Sequence, residues 1–330
     1  MGSPSLTRCR SVAKAVVLAV VVSAGAAAEP LQVDSAPVRL NPVDHGQVVV
    51  GGLEYRGGLA LTSNDNRFGG LSGLEVSADG SHALALSDRG RWVEFGLVYD
   101  GHGRLTGVSD GSITSLHGIG GQPLADNGKD SEDLVRLSDG RLAVSFERLH
   151  RVVLYSAAAP APGPAQRLNP PHKLAWAPGN GGIEGLAELR PGHLLALTEA
   201  LLVGGDRVMG WLLATAAGTD DELFFATTRD FKPTSLATMP NGDVMVLERS
   251  YSVLAGPAAR LSLVDAKTIV PGALLTGREI ARISPPMTVD NFEGLALRRD
   301  ANGWLLVYII SDDNFNPLQR TLLLMFRMAE

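Results

Sequence analysis

The sequence predicts an all-β fold, a β-propeller, on the strength of three observations. A hairpin pattern recurs five times along the 330 residues, with repeats that begin at Ser72, Glu132, Glu184, Thr234 and Glu293. The steps between these starts are 60, 52, 50 and 59 residues, close to the period of about 50 residues that marks a propeller blade. Further strand-like runs lie between the hairpins, and no long amphipathic helical pattern competes with them.

The N-terminus has the pattern of a signal peptide over residues 1–28. Three basic residues precede an apolar run from 15 to 22, and alanines at 26–28 offer a cleavage site before Glu29. The apolar run is too short to span a bilayer comfortably. We therefore expect a periplasmic or secreted protein without a transmembrane anchor after cleavage. The single Cys9 would leave with the signal peptide, so the mature chain has no thiol chemistry.

Composition limits the partners and the domain count. The formal charge is −6, with 45% hydrophobic and 19% charged residues, which is enough for a large core in one domain. No basic run is present to neutralise phosphates along a strand, which argues against nucleic acid. We expect a small molecule as the partner and a monomeric protein.

The ends of the chain indicate how the ring closes. Residues 29–46 are interpreted as a lead-in segment, and 47–330 as a single propeller domain. The fifth repeat ends after Leu322–Met325, one strand short of a full blade, whereas Val48–Leu61 is strand-like but lacks a hairpin of its own. We expect this N-terminal strand to complete the last blade. Five blades are countable, and the alternative is a sixth, degenerate one.

The first strand of each hairpin has the composition of an innermost strand. Its third position is always leucine and its second is small, with Asp133 as the exception. Small residues suit a strand beside a crowded central axis. The start of a hairpin's first strand and the end of its second lie at the same end, so acids at these positions gather on one face. The short turns at Pro191-Gly192 and Asp139-Gly140 predict that Glu184 faces Glu199 and Glu132 faces Glu147.

These acids are the candidate site. Carboxylates that face each other on a sheet repel by roughly 0.2–1 kcal/mol, so the cluster needs cations or arginines. Calcium accepts many carboxylate oxygens in a flexible geometry, and Ca²⁺ is the predicted cofactor. Arginine next to the acids would hold an oxyanion. The predicted catalytic carboxylates are Glu132, Glu184 and Glu293, the predicted metal ligands are Asp88, Glu147, Glu199, Glu248, Asp312 and Asp313, and the predicted substrate-binding residues are Arg89, Arg148 and Arg249.

Two further interpretations stay open beside this one. The acids and arginines are equally the residues of ordinary strand-end ion pairs that fix blade packing. Oxygen-rich loops at 126–131, 290–291 and 312–314 are either additional ligand suppliers or plain turns. The sequence contains neither the H-E-x-x-H zinc motif nor the phosphate-binding G-x-x-x-x-G-K-[ST] loop.

Several strings resemble one known family. They are F-G-G-L-S-G-L at Phe68, S-D-R-G-R-W at Ser87, S-F-E-R-L-H-R-V at Ser145, G-N-G-G-I-E-G-L-A at Gly179, D-N-F-E-G-L-A at Asp290 and S-D-D-N-F-N-P-L-Q-R-T-L-L-L at Ser311. With these strings the chain resembles the family called "esterase-like activity of phytase" over nearly its whole mature length. The resemblance implies an exported bacterial β-propeller that hydrolyses phosphoesters or esters. β-Propeller phytases hold calcium in an acidic central site, which the ring of acids here is similar to in kind.

The leading hypothesis is therefore an exported, metal-dependent hydrolase of phosphate or carboxylate esters. Few lysines lie near the acidic ring, which argues against a highly phosphorylated substrate. The alternatives are a non-catalytic propeller that binds a ligand or partner in the cell envelope, and a lactonase-like enzyme.

Overall fold

The strands form five sheets arranged as the blades of a propeller. The computed structural model describes residues 2, 28–156, 165–216, 220–228 and 230–329. Within these residues each sheet contains one of the predicted hairpins, which confirms the all-β propeller and gives five blades rather than six. The predicted signal peptide lies almost entirely outside the described residues.

The strands follow one another as the repeats predict. Before the first repeat come β1 (Glu29–Leu31), β2 (Asp34–Pro37), β3 (Val49–Val50) and β4 (Leu53–Thr62). Blade 1 is built from β5 (Leu71–Val76), β6 (His82–Ser87), β7 (Arg91–Tyr99) and β8 (Leu105–Ser115), and blade 2 from β9 (Ser131–Arg136), β10 (Leu142–Phe146), β11 (Arg151–Tyr155) and β12 (Gln166–Arg167). Blade 3 is built from β13 (Ile183–Arg190), β14 (His193–Leu202), β15 (Arg207–Ala214) and β16 (Asp221–Ala226).

The last two blades complete the ring. Blade 4 contains β17 (Lys232–Thr238), β18 (Val244–Ser252) and β19 (Gly256–Val264); β20 (Leu274–Leu275) then joins the edge of blade 3, and β21 (Arg278–Ile283) completes blade 4. Blade 5 contains β22 (Asn291–Arg299), β23 (Leu305–Asp312) and β24 (Thr321–Met328). Short 3-10 helices lie in the loops at Ile119–Gly121, Asp126–Gly128, His172–Trp176 and Ala266–Thr268.

The N-terminal strand closes the ring, as predicted. β4 pairs antiparallel with β24, so blade 5 combines strands from the two ends of the chain. The predicted lead-in also takes part in this closure. β1 pairs with β8 at the outer edge of blade 1, and β2 pairs with β4 in blade 5. The segment between β1 and β2 thereby joins the first and last blades at the seam.

The hydrophobic core lies between the blades. Among the described residues, each pair of neighbouring blades shares a cluster of buried apolar side chains. In the interface of blades 1 and 2, for example, Trp92 and Tyr155 pack edge to face with ring centroids 5.3 Å apart. Close packing of sheet against sheet therefore fixes the blades to one another and leaves the axis to short side chains.

The axis explains the small second position of the innermost strands. A Cβ at Gly185 would lie 2.7 Å from Cγ of Leu236 in the next blade, and one at Gly73 would lie 2.9 Å from the nitrogen of Leu134.

No described helix has the length and apolar character needed to cross a membrane.

Candidate functional site

Every innermost hairpin has a β-bulge at its acidic end. In all five blades the pairing between the first two strands shifts by one residue close to the start of the first strand. A bulge adds an unpaired residue, bends the strand and redirects a side chain. The bulged segments contain the predicted first-strand positions, which are Ser72, Glu132, Glu184, Thr234 and Glu293.

The bulges correct the predicted pairing of the acids. Glu184 does not face Glu199, because the backbone N–H of Glu199 donates to the carbonyl of Gly182, 3.0 Å away. The same shift in blade 2 places Asp130 opposite Glu147, with 2.9 Å between the Glu147 nitrogen and the Asp130 oxygen. The sequence-based register counted from the turns alone, and turns do not reveal an extra residue further along the strand.

The corrected register also changes the member of the ring that blade 4 supplies. In each blade, the residue at the end of the second strand pairs with the residue two places before the bulged residue of the first strand. In blade 4 the bulged residue is Thr234, so Lys232 pairs with Arg249. The equivalent residues are Asp88, Glu147, Glu199, Arg249 and Asp312. An arginine therefore occupies the position at which the other four blades have an acid.

Glu248 precedes this position by one residue and is not brought into the cluster. It is fully buried between strands, where its carboxylate accepts hydrogen bonds from Arg260 Nε and Ser262 Oγ, each at 2.9 Å. Arg260 in turn lies over the ring of Phe231. Adjacent residues of a strand point to opposite faces, so a shift of one residue separates Glu248 from the axis. We leave it out of the ligand set.

The tightest group of carboxylates is a triad of Asp130, Glu132 and Glu147, whose oxygens all lie within 4.8 Å of one another. Oxygens that share one calcium ion at 2.3–2.6 Å are separated by at most about 5 Å, so this spacing fits the ion. Glu147 is fixed in place because one of its oxygens accepts the backbone N–H groups of Gly181 and Gly182. Three carboxylates leave calcium with open positions for water or substrate.

Mutual repulsion characterises the centre of the cluster. Burial raises the pKa of Glu132 well above its usual value, and the charges of Glu147 and Glu293 raise it further. Burial likewise raises the pKa of Glu184, with added contributions from Glu132 and from a side-chain hydrogen bond with Glu147. The described residues supply too little positive charge to balance these acids, which is the condition that a bound cation relieves.

Arg249 neutralises one side of this cluster. Its Nη2 donates to Glu199 Oε1 at 3.1 Å, and its Nε lies 3.1 Å from Glu293 Oε1. Lys232 Nζ adds a charge 3.5 Å from Glu199. Burial alone would lower the pKa of Arg249, but the surrounding carboxylates outweigh it and the pKa is raised. Arg249 is thus engaged by the acids themselves.

Asp88 and Asp312 have raised pKa values, whereas Asp313 is held by hydrogen bonds. Burial and the neighbouring Asp130 raise the pKa of Asp88 to about 7, and burial and Glu293 raise that of Asp312 to about 9. Asp313 instead supports a loop, because it accepts hydrogen bonds from Gly70 N at 2.9 Å and from Thr321 Oγ1 at 2.9 Å. Asp313 therefore joins blades 5 and 1 across the seam.

The other two predicted arginines line a polar pocket beside the triad. Arg148 forms an ion pair with Asp130, and Arg89 lies over the ring of Phe315 with 3.2 Å between its Cζ and the ring centroid. Both contribute to a pocket of about 560 Å³ that also contains Arg91, and whose wall includes Asp130. Its cationic lining beside a carboxylate triad is suited to an anionic group bound next to a metal.

Asp133 is a feature that sequence reasoning did not assign. It is fully buried at the axis, where it accepts hydrogen bonds from Leu186 N at 2.8 Å and Ser235 Oγ at 3.0 Å. It thereby connects blades 2, 3 and 4 below the triad. Its position was visible as the one polar exception among small axial residues, and a carboxylate there requires donors from the neighbouring blades.

A family model describes most of this chain. The model named "Phytase-like: Esterase-like activity of phytase" matches residues 66–315. The chain belongs to this family. The match covers all five innermost hairpins and leaves out β1 to β4 and β24, and it confirms the family suggested by the resembling strings. A search among curated proteins found no match.

Three solved structures show some similarity at low sequence identity. One is a gluconolactonase from Xanthomonas campestris, with 14% identity, a TM-score of 0.40, and coverage of 92% of this chain and 99% of that one. Another is a glucose dehydrogenase, with 12% identity, a TM-score of 0.42, and coverage of 78% of this chain and 96% of that one. A third is the calcium-binding protein regucalcin from Agrobacterium tumefaciens, with 14% identity, a TM-score of 0.42, and coverage of 92% and 93%.

Proposed function

We propose that the protein is a metal-dependent hydrolase of phosphate or carboxylate esters that works on the acidic face of the propeller. The observation that carries this proposal is the triad of Asp130, Glu132 and Glu147, with its oxygens within 4.8 Å of one another. Membership of a family named for esterase-like activity supports the same reaction class. We propose Ca²⁺ as the ion, because the donors are all hard carboxylate oxygens.

The triad would hold the ion, which when bound supplies a Lewis acid for the ester oxygen and an acidified water. Glu147 orients the site, since the amides of Gly181 and Gly182 fix one of its oxygens. Glu184 interacts with Glu132 and Glu147 without belonging to the triad. With a cation bound at the triad, the ionised form of Glu184 is favoured despite its raised pKa, and we assign ionised Glu184 the role of general base, which would take the proton of the attacking water.

The polar pocket would hold the anionic part of the substrate. Arg148 reaches Asp130 from this pocket, and Arg89 lines it from blade 1. The arginines of the pocket are fixed positive charges, so they would stabilise negative charge that develops on the substrate in the transition state. Arg249 is assigned a different task, because its guanidinium contacts Glu199 and Glu293 and neutralises their charge.

The proposal is tested with purified protein on p-nitrophenyl phosphate, p-nitrophenyl acetate and a lactone, with added calcium and with a chelator. We expect turnover of at least one ester that is lost with the chelator and restored by calcium. Glu132→Gln should lower kcat by at least about 100-fold, since it removes a ligand of the ion. The matched control is Glu75→Gln. Glu75 lies near the end of β5 and forms an ion pair with Arg136 at the end of β9, whereas Glu132 lies near the start of β9.

Three outcomes would redirect the assignment. No turnover under any condition, together with no retained metal, would contradict a hydrolase and favour a binding propeller of the cell envelope. Turnover of the lactone alone would favour the lactonase-like alternative. Calcium that raises thermal stability without any turnover would make the ion structural. We also propose export to the periplasm or beyond, which detection of the processed chain outside the cytoplasm tests.

A further inference from the structure

A second pocket lies beside the triad, and its lining is mainly apolar, although three arginines and two histidines also contribute to it. Its volume is about 790 Å³, within the usual range for small-molecule sites. It is formed between the loop that joins blades 1 and 2 and the loop that joins blades 2 and 3. Ile119, Leu124, Leu149, Val153 and Leu174 contribute to its wall. The proposed hydrolysis does not use this pocket.

The apolar pocket and the triad are parts of one unit. Arg148 lines both the apolar and the polar pocket and forms an ion pair with Asp130 of the triad. Arg151 donates to the carbonyl of Gly128 at 2.5 Å and to that of Leu149 at 2.8 Å. These bonds tie the apolar wall to the loop that carries Asp130, so a molecule that occupies the pocket adjoins the candidate metal position.

The pocket also contains a polar group that lacks a partner. Tyr155 contributes to the lining and is only 4% exposed. Its hydroxyl is buried, and within the described ranges no hydrogen-bond partner reaches it. A buried hydroxyl without a partner is unfavourable, so the group is suited to a polar atom that arrives with a ligand. His150, another lining residue, also has a buried atom, Nδ1, without a partner among the described residues, so the lining combines apolar area with two such polar atoms.

We propose that this pocket binds the apolar acyl or aryl part of the substrate, which makes the substrate an amphiphilic ester. This inference rests on the proposed function and adds the substrate class. The anionic or ester group lies at the triad and the polar pocket, the apolar part lies against Ile119 and Leu149, and Tyr155 bonds a polar atom of that part. A polyol that carries a phosphate on every carbon would leave this apolar wall unfilled.

Binding of a product series tests the inference without requiring turnover. Acetate, butanoate, hexanoate and octanoate are titrated by calorimetry into the calcium-loaded protein. We expect affinity to rise by up to about fourfold for each methylene that enters the pocket. Ile119→Glu should lower the affinity for octanoate toward that for acetate, because it places a charge at the apolar entrance. Ile119 is 57% exposed, so the substitution spares the core.

A matched control separates the pocket from general surface hydrophobicity. Leu202 is 62% exposed and lies outside the pocket lining, so Leu202→Glu should leave the chain-length series unchanged. Equal affinity for acetate and octanoate, or equal losses in both variants, would overturn the inference. Hydrolysis of short esters with no chain-length dependence would leave the proposed function standing and remove this pocket from it. Octanoate binding that Ile119→Glu abolishes, without any turnover, would support the pocket and contradict the hydrolase.

Discussion

The charge of the buried carboxylates in this molecule is balanced in two different ways. Glu248 lies between the strands of blade 4, where Arg260 and Ser262 satisfy its oxygens. Around the axis, Glu132 and Glu184 have mostly other acids as neighbours, and the pKa of each is raised. The contrast separates a carboxylate that stabilises the fold from carboxylates that need an additional cation.

A single residue of register produces this difference. Glu248 and Arg249 are adjacent, yet Glu248 points into the blade and Arg249 points to the acids of the axis. Blade 4 thus supplies the cluster with a positive charge, while the bulges of blades 2, 3 and 5 supply it with Glu132, Glu184 and Glu293. The local excess of negative charge is consequently reduced but not removed.

The largest change in the free energy of unfolding is expected for Glu248, whose charge Arg260 balances. Glu248→Gln leaves the buried guanidinium of Arg260 without its charge partner, and we expect the free energy of unfolding to fall by about 3–5 kcal/mol. Chemical denaturation measures this change. Glu279→Gln, which removes an exposed ion pair with Arg282, should change it by less than about 1 kcal/mol. Similar losses in both variants would remove the distinction between Glu248 and a surface acid.

A smaller loss of stability is expected when Arg249, which neutralises axial acids, is replaced. Arg249→Gln leaves Glu199 and Glu293 without their shared guanidinium, so unfolding without calcium should become easier by about 1–3 kcal/mol. Calcium should recover part of this loss, because the ion takes over the neutralisation. Arg141→Gln, at an exposed turn pair with Asp139, is the control. A loss that calcium leaves untouched would mean that Arg249 acts apart from the metal position.

The pH dependence of stability should differ with and without calcium. The pKa of Asp88 is about 7 and that of Asp312 about 9 in the folded protein, against the ordinary value of 3.8. The folded state therefore holds protons that the unfolded chain has released, and stability falls as pH rises. Between pH 5 and 9 we expect a loss of about 1 kcal/mol or more without calcium.

Bound calcium should flatten this profile, because it favours the ionised acids that the folded protein otherwise keeps protonated. Melting temperatures at several pH values, with calcium and with a chelator, give the comparison. A calcium-free protein whose stability rises from pH 5 to 9 would show that the axial acids are balanced in the folded state.

The smallest effect carries the opposite sign. Glu184→Gln removes one of the repelling carboxylates, so unfolding without calcium should become harder, by up to about 1 kcal/mol. Denaturation in the presence of a chelator measures this gain, with Glu75→Gln as the neutral reference. Clear destabilisation by Glu184→Gln would place Glu184 in the same class as Glu248.

The sequence was sufficient to predict the propeller, the closure by β4 and the face on which the acids gather. Repeat spacing and alternation carry this information because each blade must bury both of its faces. The partners of individual acids were beyond it. Glu147 and Glu248 were both predicted as metal ligands at strand ends, whereas counting from the turn glycines aligns Glu147 with Arg249.

Long-range contacts account for the rest. The hydrogen bonds of Glu147 to Gly181 and Gly182 and of Asp133 to Leu186 join residues of different blades. No local pattern encodes such pairs, because they depend on the rotation between neighbouring blades. Asp130 had appeared only as one oxygen-rich loop residue, and the bulge in blade 2 makes it a member of the triad.

The central claim, that the axial acids bind a divalent cation, is tested most directly by calcium titration of the purified, chelator-treated protein in a calorimeter. We predict saturable binding that Glu132→Gln abolishes or weakens by at least about tenfold and that Glu75→Gln leaves intact. Absence of saturable binding, or equal affinity in the wild type and Glu132→Gln, would contradict the account.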